Sequence, residues 1–211
     1  MTAQPETATA SEPDQTAEEK IQQLRELYAD APEVGKVALQ NGMADIAREF
    51  AALTGATGVQ SAGRVGARQG TVSELTALLQ IAKGGAKRLR GLLELVEGNF
   101  RGADVVGTLH DMRFVFLEND TKLLFATAYD GEWDAYIDDF VTKIPTSMDI
   151  FFCNLEGWPG IRHPNVKDWL VKHQITAEGW YVGNPDLTVA ETRRLKRIGA
   201  AVDEFLDKVG D

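Results

Sequence analysis

Fifteen of the seventeen aromatic side chains lie beyond residue 71, and all four tryptophans lie at or beyond Trp133. Only Tyr28 and Phe50 come earlier. Aromatic side chains carry the largest apolar areas a chain can bury, so the packed core has to be built from the C-terminal two thirds. This divides the chain into an N-terminal extension over residues 1–70 and a folded domain over residues 71–211.

The extension is acidic. Eight carboxylates against Lys20 and Arg25 within residues 1–33 supply -6 of the net charge of -10. Residues 1–15, rich in Thr, Ala, Glu and Pro, bury too little apolar surface to offset the entropy of ordering and are expected to be disordered. Thr16 followed by Glu19 is a capping box for a helix over 17–29, whose Ile21, Leu24 and Tyr28 share one stripe. Met43, Ile46, Phe50 and Leu53 mark a second helix after an Asn41-Gly42 break. Gly55, Gly58, Gly63, Gly66 and Gly70 then read as a flexible linker. Such a segment suits a solubilising tail or a docking element for a protein partner.

In the domain, Val72–Ile81 reads as a strand, and Lys83-Gly84-Gly85 opens a helix with Ala86, Leu89, Leu93 and Val96 on one face, closed by Gly98. Val105–Leu117 and Lys122–Ala128 are β-type runs around Glu118-Asn119-Asp120, which supplies turn chemistry for a hairpin. Trp133, Tyr136, Ile137, Phe140 and Ile144 repeat at helical spacing up to Pro145. Shorter helices follow around Phe151 and Trp169. Ile175–Val182 reads as a last strand, and Thr188 with Glu191 caps a final helix carrying Leu195, Ile198, Val202 and Phe205. The order β-α-β-β-α-(α)-β-α predicts an α+β, ferredoxin-like domain: a four-stranded antiparallel sheet with helices on one face and an extra C-terminal helix. The uncovered sheet face then calls for a second copy, a homodimer.

Several classes are set aside by composition. The net charge repels phosphate backbones and anionic lipid, so neither nucleic acid nor membrane is an expected partner. The polar, acidic start is unlike a secretory signal, and no apolar run reaches the roughly 18–20 residues of a membrane span, which points to the cytoplasm. Cys153 is the only cysteine; it reads as a small buried apolar residue. With no cysteine or glutamate at ligand spacing beside the three histidines, a dedicated metal site is not expected.

Strict alternation on the Val105–Leu117 strand sets Thr108, His110, Met112, Phe114 and Phe116 on one side and Leu109, Asp111, Arg113 and Val115 on the other. His110 in an otherwise apolar row is a candidate general base, haem ligand or hydrogen-bonded core histidine. Asp111 and Arg113 share a face and form either an ion pair or a clamp for a substrate carboxylate. Asp130 sits where a helix cap belongs. Tyr129 and Trp180, with Trp158, Trp169 and Tyr181, make either a ligand wall or plain core. His163 and His173 suit helix-end roles. The resulting candidate set is His110, Asp111 and Arg113 for chemistry, and Met112, Phe114, Tyr129, Asp130 and Trp180 for binding a small-molecule ligand.

Gly107–Phe114, Leu124–Gly131, the Trp133–Phe140 helix and Asn184–Val189 resemble bacterial proteins of the dimeric α+β barrel superfamily, over about residues 72–210. The superfamily includes haem enzymes, such as dye-decolorising peroxidases, and cofactor-free monooxygenases, so the resemblance implies an oxidoreductase, with haem as one possible cofactor. Those peroxidases carry a Gly-x-x-Asp-Gly motif whose aspartate works beside the haem. Here Asp130-Gly131 matches its last two positions and Thr127 replaces the first glycine. The peroxidases also join two ferredoxin-like units in one chain, where this chain has one.

Overall fold

The computed structural model describes residues 16–53, 59–97 and 101–209, which fall into two compact units divided between residues 58 and 59. The expected disorder of residues 1–15 and the closing role of Gly98 lie outside the described residues.

The N-terminal unit is a helical pair. Helix α1 (Ala17–Leu27) opens on the Thr16–Glu19 capping box: Glu19 N donates to Thr16 Oγ1 at 3.2 Å and Thr16 N to Glu19 Oε2 at 2.8 Å. Helix α2 (Glu33–Leu53) runs unbroken through Asn41-Gly42. A single glycine costs a helix only about 1 kcal/mol, too little to interrupt Ala, Leu, Met and Glu on either side.

The second unit holds a six-stranded antiparallel sheet. The glycine spacing over residues 59–70 predicts a linker, yet this stretch forms strands β1 (Gln60–Ser61) and β2 (Ala67–Gln69) at the sheet edge. Strand β3 (Val72–Gln80) leads into helix α3 (Gly85–Leu95). A 3-10 turn over Arg101–Val105 replaces the expected start of the next strand, and β4 (Leu109–Leu117) turns through residues 118–121 into β5 (Lys122–Asp130). Helices α4 (Trp133–Lys143), α5 (Pro145–Phe152) and α6 (Val166–His173) follow, with Pro145 at the first position of α5. Strand β6 (Gln174–Ile175) and helix α7 (Val189–Val209) complete the unit. The spatial order is β1-β2-β3-β5-β4, with β6 also paired to β3.

The last strand is two residues long instead of eight. Strand β2 occupies the β3 edge at Val72 and Ser73, so β6 finds room only at Thr76 and Ala77. Beyond it, the buried Glu74 carboxylate takes over the backbone, accepting from Ala177 N at 3.1 Å and Ala67 N at 3.0 Å. A carboxylate out of water needs such donors, and they divert residues 176–182 into a loop.

Register sets Leu75, Ala77, Leu79, Leu123, Phe125 and Tyr129 on the inner sheet face, where Trp133, Tyr136, Ile137, Phe140 and Phe152 complete the core. On the opposite face Val115, Leu117 and Ile175 are 41%, 36% and 53% exposed. No helix among the described residues is long and apolar enough to cross a membrane.

Candidate functional site

Pairing between β4 and β5 runs Leu109 with Tyr129, then Asp111 with Ala128. His110 is the extra residue of a β-bulge, and a bulge bends its strand and re-aims a side chain. Alternation predicts His110 on the same side as Met112 and Phe114; the bulge instead turns it to the outer face, where its Nε2–H donates to Asp130 Oδ1 at 2.6 Å. The His110 and Asp130 side chains are 24% and 11% exposed.

Asp130 does not cap α4. The preceding residue of that helix, Glu132, makes no capping bond and pairs with Arg68, while Trp133 N donates to Ala62 O at 2.8 Å. Asp130 Oδ2 instead accepts from Val189 N at 2.9 Å, at the start of α7. One carboxylate thus joins the bulge, the end of β5 and the C-terminal helix. An anion there suits the partial positive charge of a helix N-terminus.

These groups open on a cleft of about 500 Å³ lined by His110, Asp111, Arg113, Trp180, Tyr181 and Asn184, among others. Asp111 and Arg113 form an ion pair at 2.9 Å and stay largely solvated. The far wall is the 176–188 loop, held by Gln69 Nε2 on Trp180 O at 2.8 Å and Thr71 N on Pro185 O at 2.8 Å. At Gly70 φ is +58°, and a Cβ there would lie 2.4 Å from Pro185 O, so only glycine lets the loop sit this close.

The other candidates lie on the inner face. Met112 and Phe114 line a separate apolar cavity of about 180 Å³ with Phe125, Met148 and Phe151. Tyr129 is fully buried, its ring stacked on Tyr136 at 3.8 Å between centroids, and burial raises both phenols above their ordinary value. It is core and not a wall of the cleft. Trp158 and Trp169 pack edge to face at 5.1 Å against the core, whereas Tyr181 is 87% exposed. Cys153 is exposed, contrary to its buried reading. His163 Nδ1 accepts from Asn165 N at 3.1 Å, and His173 Nδ1 donates to Trp169 O at 2.7 Å in the last turn of α6.

A haem held by histidine needs that imidazole beside an apolar slot. Here the bulge puts them on opposite faces: the cleft holds His110 among Asp111, Arg113, Asn184 and Thr192, and the apolar cavity has no histidine. The residues therefore do not fit the group. Among the described residues no cluster of three or more His, Cys, Asp or Glu could hold a metal ion.

The sequence reading missed the contribution of Val189 N, of the loop residues Asn184 and Leu187, and of Thr192 in the first turn of α7. The Thr188–Glu191 capping box was the available signal, since it fixes where α7 begins. Comparison of the chain with known protein families, curated proteins and solved structures finds no match.

Proposed function

We propose that the outer-face cleft binds a small carboxylate-bearing molecule and that His110, oriented by Asp130, accepts a proton from it. The observation that carries this reading is the 2.6 Å His110–Asp130 pair facing a cleft that also presents Arg113. With Nε2–H committed to Asp130, Nδ1 carries the lone pair of the neutral ring. The proton leaves an acidic C–H or O–H of the ligand for Nδ1, and the negative charge left behind lies near the Arg113 guanidinium. This is acid–base chemistry without a cofactor, in keeping with the cofactor-free branch of the dimeric α+β barrel resemblance. The strand order β6-β3-β5-β4 supports a ferredoxin-like reading of the sheet's centre.

Benzoate and acetate, titrated into isotopically labelled full-length protein, test the binding step. Shifts should centre on His110, Trp180 and Asn184 and vanish in Arg113→Met. Shifts confined to Met112 and Phe114 would move the ligand to the inner cavity and end this reading. A second reading, a docking role for the N-terminal helices, is favoured by α1, which buries no residue, and by Val34, 78% exposed. A chain lacking residues 1–58 should then keep benzoate binding and lose only its association with a partner.

A further inference from the structure

The cavity on the inner sheet face has a chemistry opposite to that of the outer cleft. Strand β4 lines both: Asp111 and Arg113 border the cleft, while Met112 and Phe114 border the cavity of about 180 Å³. Its deep wall is made by Phe125, Met148 and Phe152, all buried, and its rim by half-buried Phe151 and exposed Ser147. Among the described lining residues Ser147 alone has a polar side chain. The space is large enough for several waters, but each water needs roughly two to four polar partners, which one hydroxyl does not supply.

Polar bonds outside the cavity hold its frame open. Asp149 Oδ1 accepts from Trp158 Nε1 at 2.9 Å and from Ile161 N at 2.7 Å, and Asn154 Nδ2 donates to Phe151 O at 3.1 Å, which fixes α5. Lys143 Nζ donates to Val106 O at 2.7 Å and ties the end of α4 to the segment before β4. The β4–β5 ladder sets Phe114 opposite Phe125. With the backbone pinned on both sides, the cavity does not close by a shift of α5 towards the sheet.

The walls favour an aromatic occupant. Phe114 lies 5.0 Å from Phe125, tilted, and 5.3 Å from Phe151, stacked, while Phe125 meets Phe152 edge to face at 5.1 Å. One more ring extends this set of edge and face contacts, and the Met112 and Met148 sulfurs add favourable contacts to a ring edge. We propose that this cavity binds one neutral single-ring aromatic molecule, independently of the outer cleft. The size agrees, since an apolar cavity of about 150 Å³ takes up benzene. A carboxylate on the ring is disfavoured, because it would leave water for the single hydroxyl of Ser147.

Toluene, titrated into full-length protein carrying methyl-labelled methionine, tests the site. The Met112 and Met148 methyl signals should shift on one saturation curve while Met43 in α2 stays in place. Benzoate should move Met148 only at about tenfold higher concentration or more. Ala103→Leu adds bulk to the cavity wall and should weaken toluene binding about tenfold. Ser147→Leu does the same from an exposed position on the rim, and the thermal midpoint of each variant shows that it is folded. Met112 and Met148 signals that do not move at saturating toluene overturn the proposal. So do unchanged toluene affinity in both folded variants, an equal response of Met148 to benzoate and toluene, or a response of these methyls to hexane and not to toluene.

Discussion

Replacing Asp130 by alanine removes two bonds at once, and their sum can be worked from the geometry. The His110 Nε2–H bond at 2.6 Å is short and charge-assisted, with both side chains mostly buried; such bonds contribute about 1.5–3 kcal/mol. The Val189 N bond at 2.9 Å adds a carboxylate at a helix N-terminus, worth about 0.5–1 kcal/mol. Asp130→Ala should therefore cost about 2–4 kcal/mol, lowering the thermal midpoint of a domain this size by about 6–12 °C. Asp130→Asn keeps an acceptor for one of the two donors and should lose about half as much. Denaturant melts followed by tryptophan fluorescence measure both, because Trp180 lines the same cleft. A change below about 0.5 kcal/mol in Asp130→Ala would refute the claim that this carboxylate binds the bulge to α7.

Three further outcomes follow from single residues. Gly70→Ala should lose about 2 kcal/mol or more in a chemical melt, from a left-handed φ and a Cβ 2.4 Å from Pro185 O. Glu118 has φ +49° in the β4–β5 turn, so Glu118→Gly should gain about 1 kcal/mol despite losing the exposed pair with Lys122. The hydrogen bond from Lys167 holds the Asp134 carboxyl below its ordinary range against its own partial burial, with Arg64 adding to the effect. A depressed carboxyl stabilises the fold above its unfolded value near 3.8 and loses that contribution as pH falls through the folded value. Lys167→Met should thus lower stability by at most about 1 kcal/mol at neutral pH, after solvent screening, and by less at pH 2 in matched urea melts, where only the bond to Asp134 O remains.

Much of the fold was legible because local chemistry and tertiary packing agree. The two capping boxes, the Glu118–Asp120 turn and the Trp133–Phe140 stripe all lie where their spacing predicts. The last strand was not legible, since its length depends on which segment reaches the β3 edge first, and β2 comes from a glycine-rich stretch with little strand pattern. The site was half legible. His110, Asp111, Arg113, Asp130 and Trp180 do meet in one region, but Met112, Phe114 and Tyr129 belong to the other face. A bulge adds one residue to a ladder without changing the composition of the strand, so alternation read along β4 alone carries it past His110 unnoticed. Similarly, Asp130 looks like a cap for the helix that follows it and serves the helix that starts at Val189.

The central claim is that His110 faces the outer cleft with Nε2–H on Asp130 and Nδ1 open to a ligand. A long-range proton–nitrogen correlation spectrum of histidine-labelled protein at alkaline pH, recorded with and without benzoate, tests it most directly. The account predicts an Nε2–H tautomer for His110 in wild type, lost in Asp130→Ala, and an Nδ1 resonance that moves on adding benzoate. An Nδ1–H tautomer that benzoate leaves unmoved, with ring protons close to the Met112 methyl group, would contradict it.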